Sequence, residues 1–251
     1  MTGWVDKIGP YNVVKKEGPR PSGQPYLKLN ANPSFCVHTT EGSTVDGAVA
    51  TLRKNYSCPH FVVGEGKIVQ MRPLWSQGAT LRSHNDAFIQ VECVGHSSLS
   101  LHTLSPSTWG PLVALTRWVN ETQGVPLKRP DGWDDKLGSG IWAANNVRRQ
   151  SRLALKTRGV FGHVDIPDQD PSWHWDPGSL NYTKLFAEAK GTTATPEGDE
   201  DQMYKEFKEG VKAFKKGEPL PDNASEDFTF GWKFAEWTKD EYRLVRKKDG
   251  A

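Results

Sequence analysis

The stretch from Gly162 to Gly178, GHVDIPDQDPSWHWDPG, constrains the fold of this chain more than any other part of it. It holds two histidines, four aspartates and three prolines within seventeen residues. Because proline fixes φ and lacks an amide donor, this stretch is a loop, not a long helix or a central strand. Imidazoles and carboxylates are ligand types that zinc takes in proteins. We therefore predict a metal-binding loop with His163 and Asp176 as two ligands, although the same composition also fits an ordinary surface turn.

A second constraint is a carboxylate inside an apolar segment. Residues Phe88–Val94, FIQVECV, form a nearly continuous apolar run with β-branched residues, which predicts a buried central strand. Glu92 interrupts this run, and a buried carboxylate is costly unless it is paired, hydrogen-bonded or used in catalysis. Two interpretations stay open: a structural glutamate with a basic partner, and a functional one.

The remaining pattern predicts an α/β domain with a central mixed β-sheet flanked by helices. Strands are expected at Ser34–His38, His60–Val63 and Lys67–Met71. Helices are expected at Ser43–Asn55, Ser107–Thr122 and Tyr182–Ala189. Functional groups collect at strand ends in such sheets. One zinc ion can therefore gather His38, His163 and Asp176, with Glu92 and His174 facing its open position.

Composition changes divide the chain into four parts. Residues 1–30 are rich in Pro and Gly and predict an irregular N-terminal arm, and residues 31–190 carry the predicted domain. The run GTTATPEGDED at 191–201 is typical of a linker. Residues 202–251 place aromatic side chains at helical spacing and predict a small helical C-terminal appendage, too short for a large core.

Charge, hydropathy and cysteine spacing exclude several classes of function. The net charge is only +2, with 32 basic against 30 acidic residues, so we expect no nucleic-acid partner. No run approaches about 18 apolar residues, so we expect no membrane insertion. The three cysteines are widely spaced, which favours buried thiols over a disulfide framework. No apolar segment follows a basic start, so no secretory signal is expected.

Four segments in matching order resemble one family: SFCVHTT, SCPHFVVGEGKIVQM, NDAFIQVECVG, and GVFGHVDIP followed by HWDPG. They are similar to the zinc-dependent N-acetylmuramoyl-L-alanine amidases of the type-2, peptidoglycan-recognition kind, to which many bacteriophage endolysins belong. The resemblance covers roughly residues 30–190. It implies a zinc ion in a groove that binds the glycan and stem peptide of bacterial peptidoglycan.

The resemblance also implies roles for individual residues. The family's three zinc ligands fall on His38, His163 and Asp176, and the carboxylate that many members carry in the central strand falls on Glu92. Many members have a lysine two residues before the last ligand, as an oxyanion stabiliser. In this chain that position is His174, which we expect to donate a hydrogen bond to the developing oxyanion.

The loop after His163 is longer than in compact members of the family. Asp170 and His174 therefore stay open as alternatives to Asp176 for the third ligand. A histidine equivalent to His60 is frequent in the family, and we expect a structural role for it, not a ligand role.

The resulting expectation is a monomeric endolysin that cleaves the amide bond between N-acetylmuramic acid and the L-alanine of the stem peptide. It would be made in the host cytoplasm and reach the cell wall through a pore formed by another protein, and residues 202–251 could target the wall. Two other functions stay open: a non-catalytic peptidoglycan-binding module, and another zinc-dependent amidohydrolase or peptidase.

Overall fold

The computed structural model describes residues 3–19, 27–129, 157–166 and 176–192, and a few positions between 209 and 221. The chain divides into two compact units, Met1–Ala194 and Thr195–Ala251. In the second unit, the described residues include short helical pieces and a buried Ala213. Most of the predicted C-terminal appendage lies outside the described residues, so its helical structure and wall-targeting role stay predictions.

The first unit is built on a mixed seven-stranded sheet. The described residues of the unit form nine strands: β1 (Lys7–Ile8), β2 (Tyr11–Lys15), β3 (Ser34–Thr39), β4 (Phe61–Gly64), β5 (Lys67–Gln70), β6 (Phe88–Cys93), β7 (Ser98–His102), β8 (Val160–Gly162) and β9 (Gly178–Leu180). The large sheet has the order β1-β2-β5-β4-β6-β3-β8, and β7 pairs with β9 in a separate parallel ribbon. Pairs β3–β6, β3–β8 and β4–β6 are parallel, whereas β4–β5 is an antiparallel hairpin. This arrangement confirms the predicted mixed sheet.

The N-terminal segment differs from the irregular arm predicted for residues 1–30. Strands β1 and β2 form an antiparallel hairpin, and β2 extends the large sheet in parallel with β5, where Val13 pairs with Ile68. The prolines that suggested irregular chain are compatible with this pairing, because Pro10 lies in the hairpin turn and Pro19 lies beyond β2. The prediction was therefore wrong for residues 7–15.

In the part of the chain that the structure describes, three predicted helices flank the sheet: α1 (Val45–Lys54), α2 (Pro106–Gln123) and α3 (Tyr182–Ala189). The Thr44 hydroxyl caps α1 by accepting from the Gly47 amide, and the Asn181 side chain caps α3 in the same way. Helix α2 begins at a proline and ends at Gly124, whose φ of 63° is left-handed. Within the part of the chain that the structure describes, no helix is long and apolar enough to cross a bilayer.

Side chains alternate between the two faces of the sheet, and this alternation positions the site. One face of β3 and β6 is mainly apolar, and these side chains on it pack in the core with α2 and α3: Phe35, Val37, Ile89, Val91 and Cys93. The other face carries Cys36 and His38 from β3 and Gln90 and Glu92 from β6. The parallel register pairs Cys36 with Gln90 and His38 with Glu92, so the polar residues are neighbours across the two strands.

Candidate metal centre

Three of the predicted site residues lie together at the end of the sheet. His38 lies near the end of β3, His163 opens a 3-10 turn directly after β8, and Asp176 lies just before β9. Parallel pairing of β3 with β8 brings the ends of these two strands to one edge. The two imidazoles and the carboxylate form a buried cluster whose potential ligand atoms all lie within 4.8 Å of one another.

The spacing of these atoms fits a small tetrahedral cation. His38 Nδ1 lies 3.0 Å from His163 Nδ1 and 3.3 Å from Asp176 Oδ2, and His163 Nδ1 lies 3.1 Å from Asp176 Oδ1. Zinc bonds of 2.0–2.1 Å to nitrogen and oxygen at tetrahedral angles separate two ligand atoms by about 3.3 Å. Two imidazoles and one carboxylate are also a set that leaves a fourth position open, as in a catalytic zinc site.

Asp176 is held in its ionised form. Burial alone would raise its pKa, but the nearby His163 and hydrogen bonds with His163 and His38 outweigh burial and hold the pKa of Asp176 below its usual range. The Thr39 backbone amide donates to Asp176 Oδ2 at 3.3 Å, and the Asp176 backbone carbonyl accepts from the Val164 amide at 2.8 Å. These backbone contacts fix the carboxylate against the two histidines.

A buried ion pair fixes the turn that presents His163. Asp165 Oδ2 accepts from the Gly162 amide at 2.7 Å and lies 2.8 Å from Arg129 Nη2. The Arg129 guanidinium also lies 4.0 Å from the centre of the Tyr182 ring. Both charges are almost fully buried, so loss of either partner would leave the other charge buried and unpaired. This pair was not foreseen from the sequence, although the spacing of His163 and Asp165 was visible.

Glu92 lies beside His38 in the register of the sheet and is 8% exposed. Within the described residues it forms no ion pair, and its buried Oε2 has no hydrogen-bond partner. Burial, reinforced by the nearby carboxylates of Asp176 and Glu41, raises the pKa of Glu92 well above its usual value. The described residues therefore do not support a structural glutamate with a basic partner. The buried surroundings of Glu92 suit a carboxyl group that takes up and releases a proton.

The remaining candidates fall into two groups. His174 and Asp170 lie outside the described residues, so the oxyanion role and the alternative ligand assignments stay predictions. His60 is fully buried. Its Nε2 lies 2.8 Å from the Ser76 carbonyl oxygen, and its Nδ1 accepts a hydrogen bond from the Gln90 backbone N–H at 3.1 Å. Burial lowers the pKa of His60 to about 4, so this neutral ring has the structural role that the sequence predicted.

Comparison with known proteins identifies one family for most of the chain. The profile of the family described as N-acetylmuramoyl-L-alanine amidase matches residues 30–179. No curated protein matches the chain.

Solved structures with a similar fold include the following three. The endolysin amidase LysCS from Clostridium intestinale URNW has 14% identity and a TM-score of 0.46, over 71% of this chain and 95% of that one. The hydrolase AmiA from Staphylococcus aureus has 14% identity and a TM-score of 0.43, over 73% and 87% of the two chains. The PlyG catalytic domain has 15% identity and a TM-score of 0.45, over 74% and 99%.

Proposed function

The chain belongs to the N-acetylmuramoyl-L-alanine amidase family, and we propose that it hydrolyses peptidoglycan with a zinc ion held by His38, His163 and Asp176. The bond cleaved is the amide between the lactyl group of N-acetylmuramic acid and the L-alanine of the stem peptide. The observation that carries this proposal is the buried triangle of two Nδ1 atoms and one carboxylate at the spacing of a tetrahedral site. A zinc ion bound there would polarise the scissile carbonyl and lower the pKa of a water molecule in the open position.

Glu92 is the proposed acid–base residue. Its carboxylate takes a proton from the attacking water and passes it to the nitrogen of the leaving alanine. The raised pKa of Glu92 suits this task, because a carboxylate with a raised pKa is a stronger base than an ordinary glutamate. Asp176 keeps the opposite character, since the neighbouring histidines hold its pKa low. The two carboxylates therefore divide into one that binds the cation and one that moves the proton.

His174 is proposed as the oxyanion donor. An imidazole has an unperturbed pKa near 6.5, and a cation close by would lower it further. The neutral ring still carries one N–H, so His174 would act as a hydrogen-bond donor to the tetrahedral oxygen, not as a fixed positive charge.

The test is product analysis on purified peptidoglycan with three proteins. Wild type should release new N-terminal alanine and no new reducing sugar ends. Glu92→Gln should keep its zinc and release alanine about 10²–10⁴-fold more slowly. Glu121→Gln makes the same chemical change at an exposed position on α2, and it should match wild type.

Three results would contradict the proposal or a part of it. Wild-type protein that binds peptidoglycan without releasing alanine would be a non-catalytic binding module, and new ends elsewhere in the stem peptide would identify a different zinc peptidase. Turnover of Glu92→Gln near that of wild type would return Glu92 to the status of a buried structural carboxylate.

A further inference from the structure

A chain of polar side chains runs behind His38, on the side away from the metal cluster; His38 and Gln90 are buried, and Thr80 and Asn85 are half-buried. His38 Nε2 lies 3.2 Å from the Thr80 hydroxyl oxygen, and Thr80 Oγ1 lies 2.7 Å from Gln90 Oε1. The other end of the Gln90 amide, Nε2, lies 3.1 Å from Asn85 Oδ1. Gln90 is fully buried on β6, two residues before Glu92 and on the same face of the sheet. The mechanism above uses neither Thr80 nor Gln90.

The direction of every hydrogen bond in this chain follows from donors whose identity is certain. The Leu81 backbone amide donates to Asn85 at 2.8 Å, so the Asn85 atom that it meets is the oxygen. Gln90 therefore turns its NH₂ group towards Asn85 Oδ1 and its carbonyl oxygen towards Thr80. The Thr80 amide also donates to that carbonyl oxygen, at 3.2 Å, which agrees with this orientation.

The proton of the Thr80 hydroxyl is then committed to Gln90, because a carbonyl oxygen can only accept. The hydroxyl oxygen can face His38 only as an acceptor, so His38 carries its proton on Nε2. When a cation displaces the proton that Nδ1 of His38 shares with Asp176, the ring that remains is neutral, with its N–H on Nε2 and its lone pair on Nδ1. Nδ1 is the atom that faces His163 and Asp176.

We propose that Thr80, oriented by Gln90, is a positioning residue that sets the tautomer of His38 for metal binding through Nδ1. The inference rests on the proposed zinc site and deepens it. Hydrogen-bond partners behind a metal-binding histidine fix its tautomer and ring orientation, and their loss costs about 10–100-fold in metal affinity.

Gly78 provides the space for this arrangement. A Cβ atom built at Gly78 would lie 2.0 Å from Gln90 Oε1, far inside a van der Waals contact. Any side chain at position 78 would therefore displace the amide that orients Thr80. The backbone at Gly78 thus lets the Gln90 amide reach the Thr80 hydroxyl.

The experiment compares Thr80→Val with Thr80→Ser in the full chain. Valine keeps the shape of threonine but removes the hydroxyl, whereas serine keeps the hydroxyl. Zinc affinity is measured by competition with a chelator, at a temperature well below the midpoint of thermal unfolding of each protein. Thr80→Val should bind zinc about 10–100-fold more weakly than wild type, and Thr80→Ser should bind as wild type does.

A second readout is the tautomer itself. In long-range ¹H–¹⁵N spectra of histidine-labelled wild-type protein, the metal-free His38 ring should be protonated on Nε2. Zinc-loaded protein should show coordination through Nδ1. A merely structural role for Thr80 would change thermal stability without changing the zinc affinity or the His38 tautomer.

Gln90→Leu sharpens the test because the hydrogen bonds connect Gln90 to His38 through the Thr80 hydroxyl. Without the carbonyl acceptor, the Thr80 hydroxyl can turn its proton towards His38 Nε2 and favour the wrong tautomer, so zinc affinity should again fall. The double variant Thr80→Val with Gln90→Leu should bind no more weakly than the weaker single variant, since both act through one chain.

The outcomes separate this inference from the proposed function. A wild-type protein that takes up no zinc overturns both. A wild-type protein that takes up zinc, with Thr80→Val equal to it in affinity or with His38 bound through Nε2, overturns only the positioning role of Thr80.

Discussion

Strands β3 and β6 present two faces with opposite chemistry. On the face towards α2, the side chains of Phe35, Val37, Ile89 and Val91 are apolar and fully buried. On the other face, the same strands carry His38, Gln90 and Glu92, which are also buried but polar or ionisable. A strand with period-2 alternation can serve both faces at once, because each residue belongs to one face alone.

The difference shows that the face towards α2 stabilises the domain, whereas the opposite face carries the proposed site. Apolar burial contributes about 25 cal/mol per Å² removed from water, so the α2 face is a source of folding free energy. Burial of an ionisable group without a partner costs free energy, and Glu92 with its raised pKa is such a group. The packing against α2 offsets this cost and allows a site that does not stabilise the fold by itself.

The largest effect that separates the faces should come from substitution of the proposed metal ligands. His38→Ala, His163→Ala or Asp176→Ala should each abolish zinc retention and reduce alanine release to background, because a three-ligand site depends on every ligand. His174→Ala should instead keep its zinc and lower turnover, with partial recovery in His174→Lys. Metal analysis of the purified variants checks both statements. Zinc retained by Asp176→Ala but lost by Asp170→Ala or His174→Ala would move the third ligand.

A smaller effect is expected from the apolar face. Ile89→Ala should lower the free energy of unfolding by about 2–5 kcal/mol, because it leaves a cavity in the apolar core, where Ile89 is fully buried. Zinc affinity measured below the unfolding transition should stay at the wild-type value, since Ile89 points away from the site. Denaturant unfolding and chelator competition on the same sample check the two parts. Loss of zinc affinity in step with stability would mean that the two faces are not separable.

The smallest effect concerns the free-energy cost of burying the Glu92 carboxylate. Its pKa is higher in the folded protein than in the unfolded chain, so the stability that it contributes is full below the unfolded pKa of about 4.3 and is lost as pH rises through the folded pKa. Glutamine does not titrate, so metal-free Glu92→Gln should gain stability relative to wild type as the pH rises. Urea unfolding of both proteins across this range tests the sign. Parallel stability curves for the two proteins would contradict a raised pKa at this position.

The fold could be predicted from the sequence wherever periodicity was strong. The β4–β5 hairpin follows from apolar runs around Gly64-Glu65-Gly66, and α2 follows from a broad apolar stripe between a proline and a glycine. The hairpin of residues 7–15 was missed because β2 is a short strand among prolines, and only its pairing with β5 makes it regular. Tertiary pairing of this kind leaves no local pattern.

The sequence predicted the residues of the His38, His163 and Asp176 cluster but not the side chains that support them. His38, His163 and Glu92 each follow a recognisable strand or motif, and Asp176 precedes a Pro-Gly pair. The partners behind them come from distant segments, as the Asp165 contact with Arg129 shows. Gln90 did carry a signal, since it is the second polar residue of an otherwise apolar strand and shares the face of Glu92. That alternation indicates a polar face, but it does not identify the partner that Gln90 meets.

The central claim is that this face holds zinc through two imidazoles and one carboxylate. Zinc X-ray absorption on wild-type protein loaded with one equivalent tests it most directly. The account predicts two imidazole nitrogens at about 2.0–2.1 Å and only oxygen besides, from Asp176 and solvent. The thiol of Cys36 is buried on the same face, and burial raises its pKa. A sulfur shell at about 2.3 Å, or a site with a single imidazole, would contradict the account.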